Sequence, residues 1–186
     1  RYWNMPDKPE RLYFAYGSNI NLDQMERRCP NAEVVAPVTL NGYRLAFRGH
    51  TPGCGVATIL SSPIHQVKGL LWKLTPDCER SLDCYEGFPS FYGKEDITVM
   101  DRSGKQFTVM AYVMTPEYAQ MVAMPSASYA MGIAEGYGQN RIPTKGLEEA
   151  ITCCRHELET QEAAYWQTLK QNERPKKSNQ HKGYER

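Results

Sequence analysis

The chain has 186 residues, 41% of them hydrophobic and 23% charged, with a net charge of +1. These are the proportions of an ordinary globular domain, large enough to bury about two thirds of its unfolded surface. The charge balance gives no reason to expect nucleic acid or a membrane as the main partner, and the longest apolar stretches fall far short of the roughly 20 residues that span a bilayer.

Residues 1–10 mix proline and charge without a period and read as a loose arm, with Met5 a candidate natural start. No positively charged start followed by an apolar run is visible, so no secretion signal is expected. "RLYFAY" at 11–16 is a β-rich run and predicts a strand. "NLDQMERRCP" at 21–30 predicts a short helix capped by Asn21 or Asn19, with Asp23 in its first turn and Arg27 and Arg28 in its last. Residues 33–48 alternate loosely around Asn41-Gly42, a hairpin signal between two β-rich runs. A Gly/Pro loop at 49–55, a strand at 56–62, a turn over Pro63 to Gln66 and a strand at 67–74 follow, with Gly69 marking a bulge or a close approach.

Thr75, Pro76 and Asp77 open a helix that should run to about Tyr85, leaving Glu86-Gly87 at its C-terminal end. Residues 92–101 and 106–115 read as two strands around a tight Ser103-Gly104 turn. Residues 125–138 read as a helix starting near Ser126 and ending at Gly136 or Gly138. Residues 144–170 are the longest helical pattern, with Leu147, Ile151, Cys154, Leu158, Ala164 and Tyr165 roughly on one face. The organisation expected is an arm at 1–10, a single domain over 11–170 that includes this long helix, and a polar tail at 171–186. Six or seven strands, mostly in a run with explicit turns, and three or four helices predict an α+β fold with a largely antiparallel sheet curled toward a barrel.

Six cysteines and four histidines are present, but no CxxC pair or metal-ligand spacing. Reduced thiols in a cytoplasmic protein are expected. The stretch "FAYGSNINLDQM" at 14–25 joins a strand to a helix through Gly17, Ser18 and Asn19. Such a segment is either an ordinary turn or a cradle of backbone N–H groups for a carboxylate or phosphate. It is not a P-loop, since no GxxxxGK[ST] is present. Glu86 stands among Tyr85, Phe88, Phe91 and Tyr92, where partial desolvation would raise its pKa and suit it to acid–base work. Asp83 is a competing carboxylate or a structural partner. No GxSxG elbow exists.

Taken together, "LYFAYGSN", "GVATI", "VKGLLWKL", "SLDCYEG", "AYVMT" and "PSASYAMGIAEGYGQNRIP" resemble the γ-glutamylcyclotransferase family over residues 11–152. The resemblance implies a small mixed β-barrel with flanking helices, and a reaction without metal or organic cofactor. The α-amine of a small γ-glutamyl substrate attacks its own γ-carbonyl, so that 5-oxoproline forms and an amine or amino acid leaves. Glu86 matches the family's catalytic carboxylate, and Tyr16, Gly17, Ser18 and Asn19 match its substrate-holding loop. Tyr92 and Tyr129 match its later aromatic positions. Ile20 stands where the family often has Leu, and "GFPSFYGKE" at 87–95 departs on the side that borders the leaving group. A γ-glutamylamine or another γ-glutamyl metabolite as donor, and a non-catalytic glutamyl-binding module, are the competing readings. The helix over 146–170 is expected either to make contacts in a homodimer or to pack on its own barrel.

Overall fold

The β-rich runs close into a barrel. The computed structural model describes residues 9–173. Among them β1 (Arg11–Ala15), β2 (Glu33–Arg48), β3 (Val56–Leu74), β4 (Tyr92–Asp101) and β5 (Gln106–Met114) form one closed sheet in the order β1-β3-β2-β4-β5. Neighbours are antiparallel, except that β5 closes onto β1 in parallel at Met110 and Tyr13. This is the mixed, mostly antiparallel barrel expected. Phe14, Phe47, Leu70, Leu71 and Met110 are fully buried, the successive Leu70 and Leu71 on opposite faces of the barrel wall.

The expected hairpin at Asn41-Gly42 does not form. β2 runs through it and pairs with β3 along its whole length, from Glu33 with Lys73 to Arg48 with Val56. The expected turn at Pro63 to Gln66 lies directly opposite, because Asn41 pairs with Gln66 and Tyr43 with Ser61. The two breaks share one level of the ladder, so both strands bend there instead of reversing, and four anticipated strands become two. Gly42 takes the left-handed backbone (φ 83°) that such a bulge needs. Gly69 is a close approach, as expected: a Cβ there would sit 2.2 Å from the Ala15 carbonyl oxygen.

The helices flank the barrel: α1 (Leu22–Arg28), α2 (Pro76–Tyr85), α3 (Pro116–Ala119), α4 (Ala127–Gln139) and α5 (Lys145–Asn172). Asn21, not Asn19, caps α1 by accepting from the Gln24 N–H. Thr75 and Ser126 cap α2 and α4 in the same way. Gly136 does not end α4; it lies inside the helix, where a Cβ would come within 2.6 Å of the Asn21 backbone nitrogen. Leu147, Ala150 and Cys154 of α5 are buried, and Glu157 binds Arg44 and Arg48 of β2. Residues 159–168 are all exposed, so Ala164 and Tyr165 do not join the buried face. Most of the expected arm and tail lies outside the described residues. No helix among those described is long and apolar enough to cross a membrane.

Candidate active site

α2 ends in a way that aims Glu86. Gly87 is left-handed (φ 61°), the Phe88 N–H returns to the Asp83 carbonyl at 2.9 Å, and the Gly87 N–H returns to Cys84 at 3.3 Å. This pair of bonds is a Schellman motif, and it places Glu86 at the helix C-cap. The carboxyl group enters a cleft of about 220 Å³ lined by Tyr13, Tyr16, Gly17, Ser18, Asn19 and Tyr85. Val56, Ala57, Phe91, Tyr92, Tyr112 and Tyr129 complete the lining, so all seven site residues anticipated from the sequence meet in one place. Glu86 is the only carboxylate among these side chains.

Burial raises the Glu86 pKa to about 7, against the opposing pull of Arg28 and of the Asn19 hydrogen bond. Its position at the negative end of α2 acts in the same direction as burial. Asn19 Nδ2 donates to Glu86 Oε1 at 3.1 Å and to the Tyr13 hydroxyl at 3.0 Å. Across the cleft the chain makes one 3-10 turn over Ser18–Ile20. The N–H groups of Ile20 and Asn21 are used inside it, while those of Gly17, Ser18 and Asn19 have no partner among the described residues. All three of these residues line the cleft. Trp72 holds the turn from the barrel, its indole N–H donating to the Asn19 carbonyl at 2.9 Å.

The tyrosines carry the remaining polarity. Tyr92 donates to the Ala57 carbonyl at 2.6 Å, and the Ala57 N–H donates to the Tyr129 hydroxyl at 3.0 Å, which leaves the Tyr129 proton available to a ligand. Tyr16 donates to the Tyr112 carbonyl. Burial lifts all three phenols well above their usual pKa, so they act as neutral donors near pH 7. Asp83 is committed elsewhere: it accepts from the Tyr112 hydroxyl at 2.5 Å and pairs with Lys94 at 2.8 Å. Sequence reasoning missed Tyr13, Arg28, Trp72 and Tyr112. Their partners lie 6, 9, 53 and 29 positions away along the chain, and only Arg28 carried a local signal, as a basic residue in the last turn of α1.

Residues 13–131 match the family described as "Gamma-glutamyl cyclotransferase, AIG2-like". The chain is 34% identical over 152 residues to a gamma-glutamylcyclotransferase of Homo sapiens, covering 77% of this chain and 79% of that one. It is 35% identical over 139 residues to a gamma-glutamylcyclotransferase of Bos taurus, covering 71% and 72%. A solved structure titled "Gamma-glutamyl cyclotransferase" superposes with a TM-score of 0.69 at 31% identity, covering 76% of this chain and 86% of that one.

Proposed function

The chain belongs to the gamma-glutamyl cyclotransferase, AIG2-like family, and from that premise we propose that it cyclises a small γ-glutamyl compound to 5-oxoproline with Glu86 as the acid–base group. The observation that carries the reading is one carboxylate of pKa about 7 in the same small cleft as Gly17, Ser18 and Asn19, whose N–H groups have no partner among the described residues.

A free amine is needed for attack, and a carboxylate that is half ionised near neutral pH can take a proton from the substrate ammonium. The nitrogen then forms a bond to the γ-carbon of the same molecule. Because attack is intramolecular, the cleft has chiefly to hold the folded conformer with amine and carbonyl adjacent. The ring nitrogen, which still carries two hydrogens, gives up one of them, and as the tetrahedral carbon collapses the bond to the departing nitrogen breaks while Glu86 returns its proton there; the ring proton passes to solvent or to the released amine, which leaves as an ammonium. The products are 5-oxoproline and the released amine. The N–H cradle suits an anionic oxygen, either the substrate α-carboxylate or the carbonyl oxygen as it gains charge. Tyr129 adds a neutral donor on the same side, its hydroxyl 3.4 Å from where a Gly17 Cβ would stand.

The test is 5-oxoproline release from a panel of γ-glutamyl amino acids, glutathione and γ-glutamylamines, with wild type and Glu86→Gln side by side. Glu86→Gln is expected to fold and to lose about 10²–10⁴-fold in kcat. Full turnover in the folded variant would remove Glu86 from this role. The panel itself identifies the leaving amine, and binding of 5-oxoproline with no turnover on any member would favour a glutamyl-binding module instead.

A further inference from the structure

Asn19 gives Glu86 its hydrogen bond only while its amide points the right way, and that direction is set from outside the cleft. Arg28, at the end of α1, folds back over the 3-10 turn. Its Nη1 donates to Asn19 Oδ1 at 2.6 Å and to Ser18 Oγ at 3.0 Å. Its Nη2 donates to Gln24 Oε1 at 2.9 Å, and the guanidinium lies 3.8 Å from the Tyr85 ring centre. A guanidinium carries donors and no acceptor. It can accept only the amide oxygen of Asn19 as a neighbour, which turns the amide NH2 toward Glu86 and Tyr13. The reverse orientation would set NH2 against guanidinium and amide oxygen against carboxylate.

We propose that Arg28 is a positioning residue of the cyclisation site, acting through Asn19: it fixes the amide so that the NH2 is held on Glu86. The role in turnover rests on the cyclotransferase reading; the role in orienting the amide does not. The planar fork matters as well as the charge, since it spans Asn19, Ser18 and Gln24 at once and is held flat by Tyr85. The titratable and charged groups around Glu86 are Arg28 from α1, Tyr13 from β1, Tyr16 after it, Tyr85 from α2, Tyr92 from β4, Tyr112 from β5 and Tyr129 from α4. Burial raises the phenols of Tyr13, Tyr16, Tyr92 and Tyr129, so none of these four gains or loses a proton near neutral pH. A change in the Glu86 titration on altering Arg28 is then traceable to Arg28 and Asn19.

The experiment titrates Glu86 directly by NMR in protein labelled with 13C at the glutamate carboxyl, the signal being assigned by its loss in Glu86→Gln. Arg28→Met is expected to raise the midpoint by about one pH unit, since a nearby positive charge and a donor to the ionised form are lost together. Asn19→Ala alone should also raise it. In the Arg28→Met background Asn19→Ala should add no more than about 0.3 of a unit, because the amide is already released. An unchanged midpoint in folded Arg28→Met overturns the proposal, and so do additive shifts, which would make Arg28 a charge acting alone. If Arg28→Met does not fold, Arg28→Lys carries the same test: charge is kept, the fork is lost, and the midpoint should still rise without adding to Asn19→Ala. In the active enzyme the acid limb of kcat/KM should move up with the midpoint, costing about tenfold at pH 6 and little at pH 9. Were wild type to release no 5-oxoproline, the cyclotransferase reading would fail while the titration still decided the role of Arg28.

Discussion

In the cleft Glu86 titrates near 7, against an ordinary value of 4.5. A carboxyl whose folded pKa is raised favours folding most below its unfolded pKa, and that contribution is lost as pH rises through the folded value. Wild type should therefore weaken relative to Glu86→Gln between pH 4.5 and 8, by up to about 3 kcal/mol. Urea unfolding of both proteins at several pH values checks this, and a difference that stays flat would mean that Glu86 is not desolvated. In the reaction proposed for Glu86 the sign is reversed, because the ionised form would be the base: kcat/KM should rise through about pH 7 on the acid side. Asp83 is the control three residues away. Asp83→Asn withdraws one of the two carboxylates that hold Lys94, leaving Glu79, and weakens the partner of Tyr112. About 1–3 kcal/mol of stability should be lost with turnover little changed; a selective loss of turnover would shift the acid–base assignment toward Asp83.

At the scale of elements, the end of α2 and the crossing of β3 over β1 depend on single glycines. Gly87 sits at a left-handed angle, and a Cβ there would press within 3.1 Å of Phe91 Cβ. Gly87→Ala should cost about 1–2 kcal/mol and lower turnover, since the same turn aims Glu86. Gly69→Ala is expected to be worse. Its Cβ would meet backbone at 2.2 Å and the Phe14 ring at 2.5 Å, and neither yields without opening the barrel. A loss of about 2–4 kcal/mol in urea unfolding is the expected reading. β1, α2 and the β4–β5 hairpin were legible in the sequence because each is specified locally. The hairpin turn, for example, is closed by Asp101 accepting from the N–H groups of Ser103 and Lys105. The long β2–β3 ladder was not legible: a turn residue in one strand cannot show that its partner strand breaks at the same level.

For the whole molecule, α5 divides into a part that packs and a part that does not. Arg48 is 5% exposed and relies on Glu157, at 2.8 Å. Glu157→Ala would leave a buried cation unpaired at about 2–4 kcal/mol. A chain ending after Leu158 keeps that pair and gives up only the projecting turns, so its melting temperature and turnover should stay close to wild type. Light scattering of the two forms then decides what the outer half does, since a fall in molar mass on truncation would assign Tyr165 and Trp166, 60% and 53% exposed, to contacts between copies.

The local sequence was enough to mark a strand-to-helix turn at 17–19 and a carboxylate at a helix end, because a strand–glycine–helix junction and a Glu-Gly helix stop are written in consecutive residues. It could not show that the two face one another. That depends on barrel closure, which brings positions 19 and 86 to 3.1 Å. Nor could it show which amide orientation Asn19 adopts or that Asp83 is already occupied, since Arg28, Tyr112 and Lys94 reach those groups from separate elements. The direction of the Glu86 pKa shift was legible in the aromatics around it, but its extent was not: desolvation on that scale is a property of the packed cleft, and no residue carries it alone.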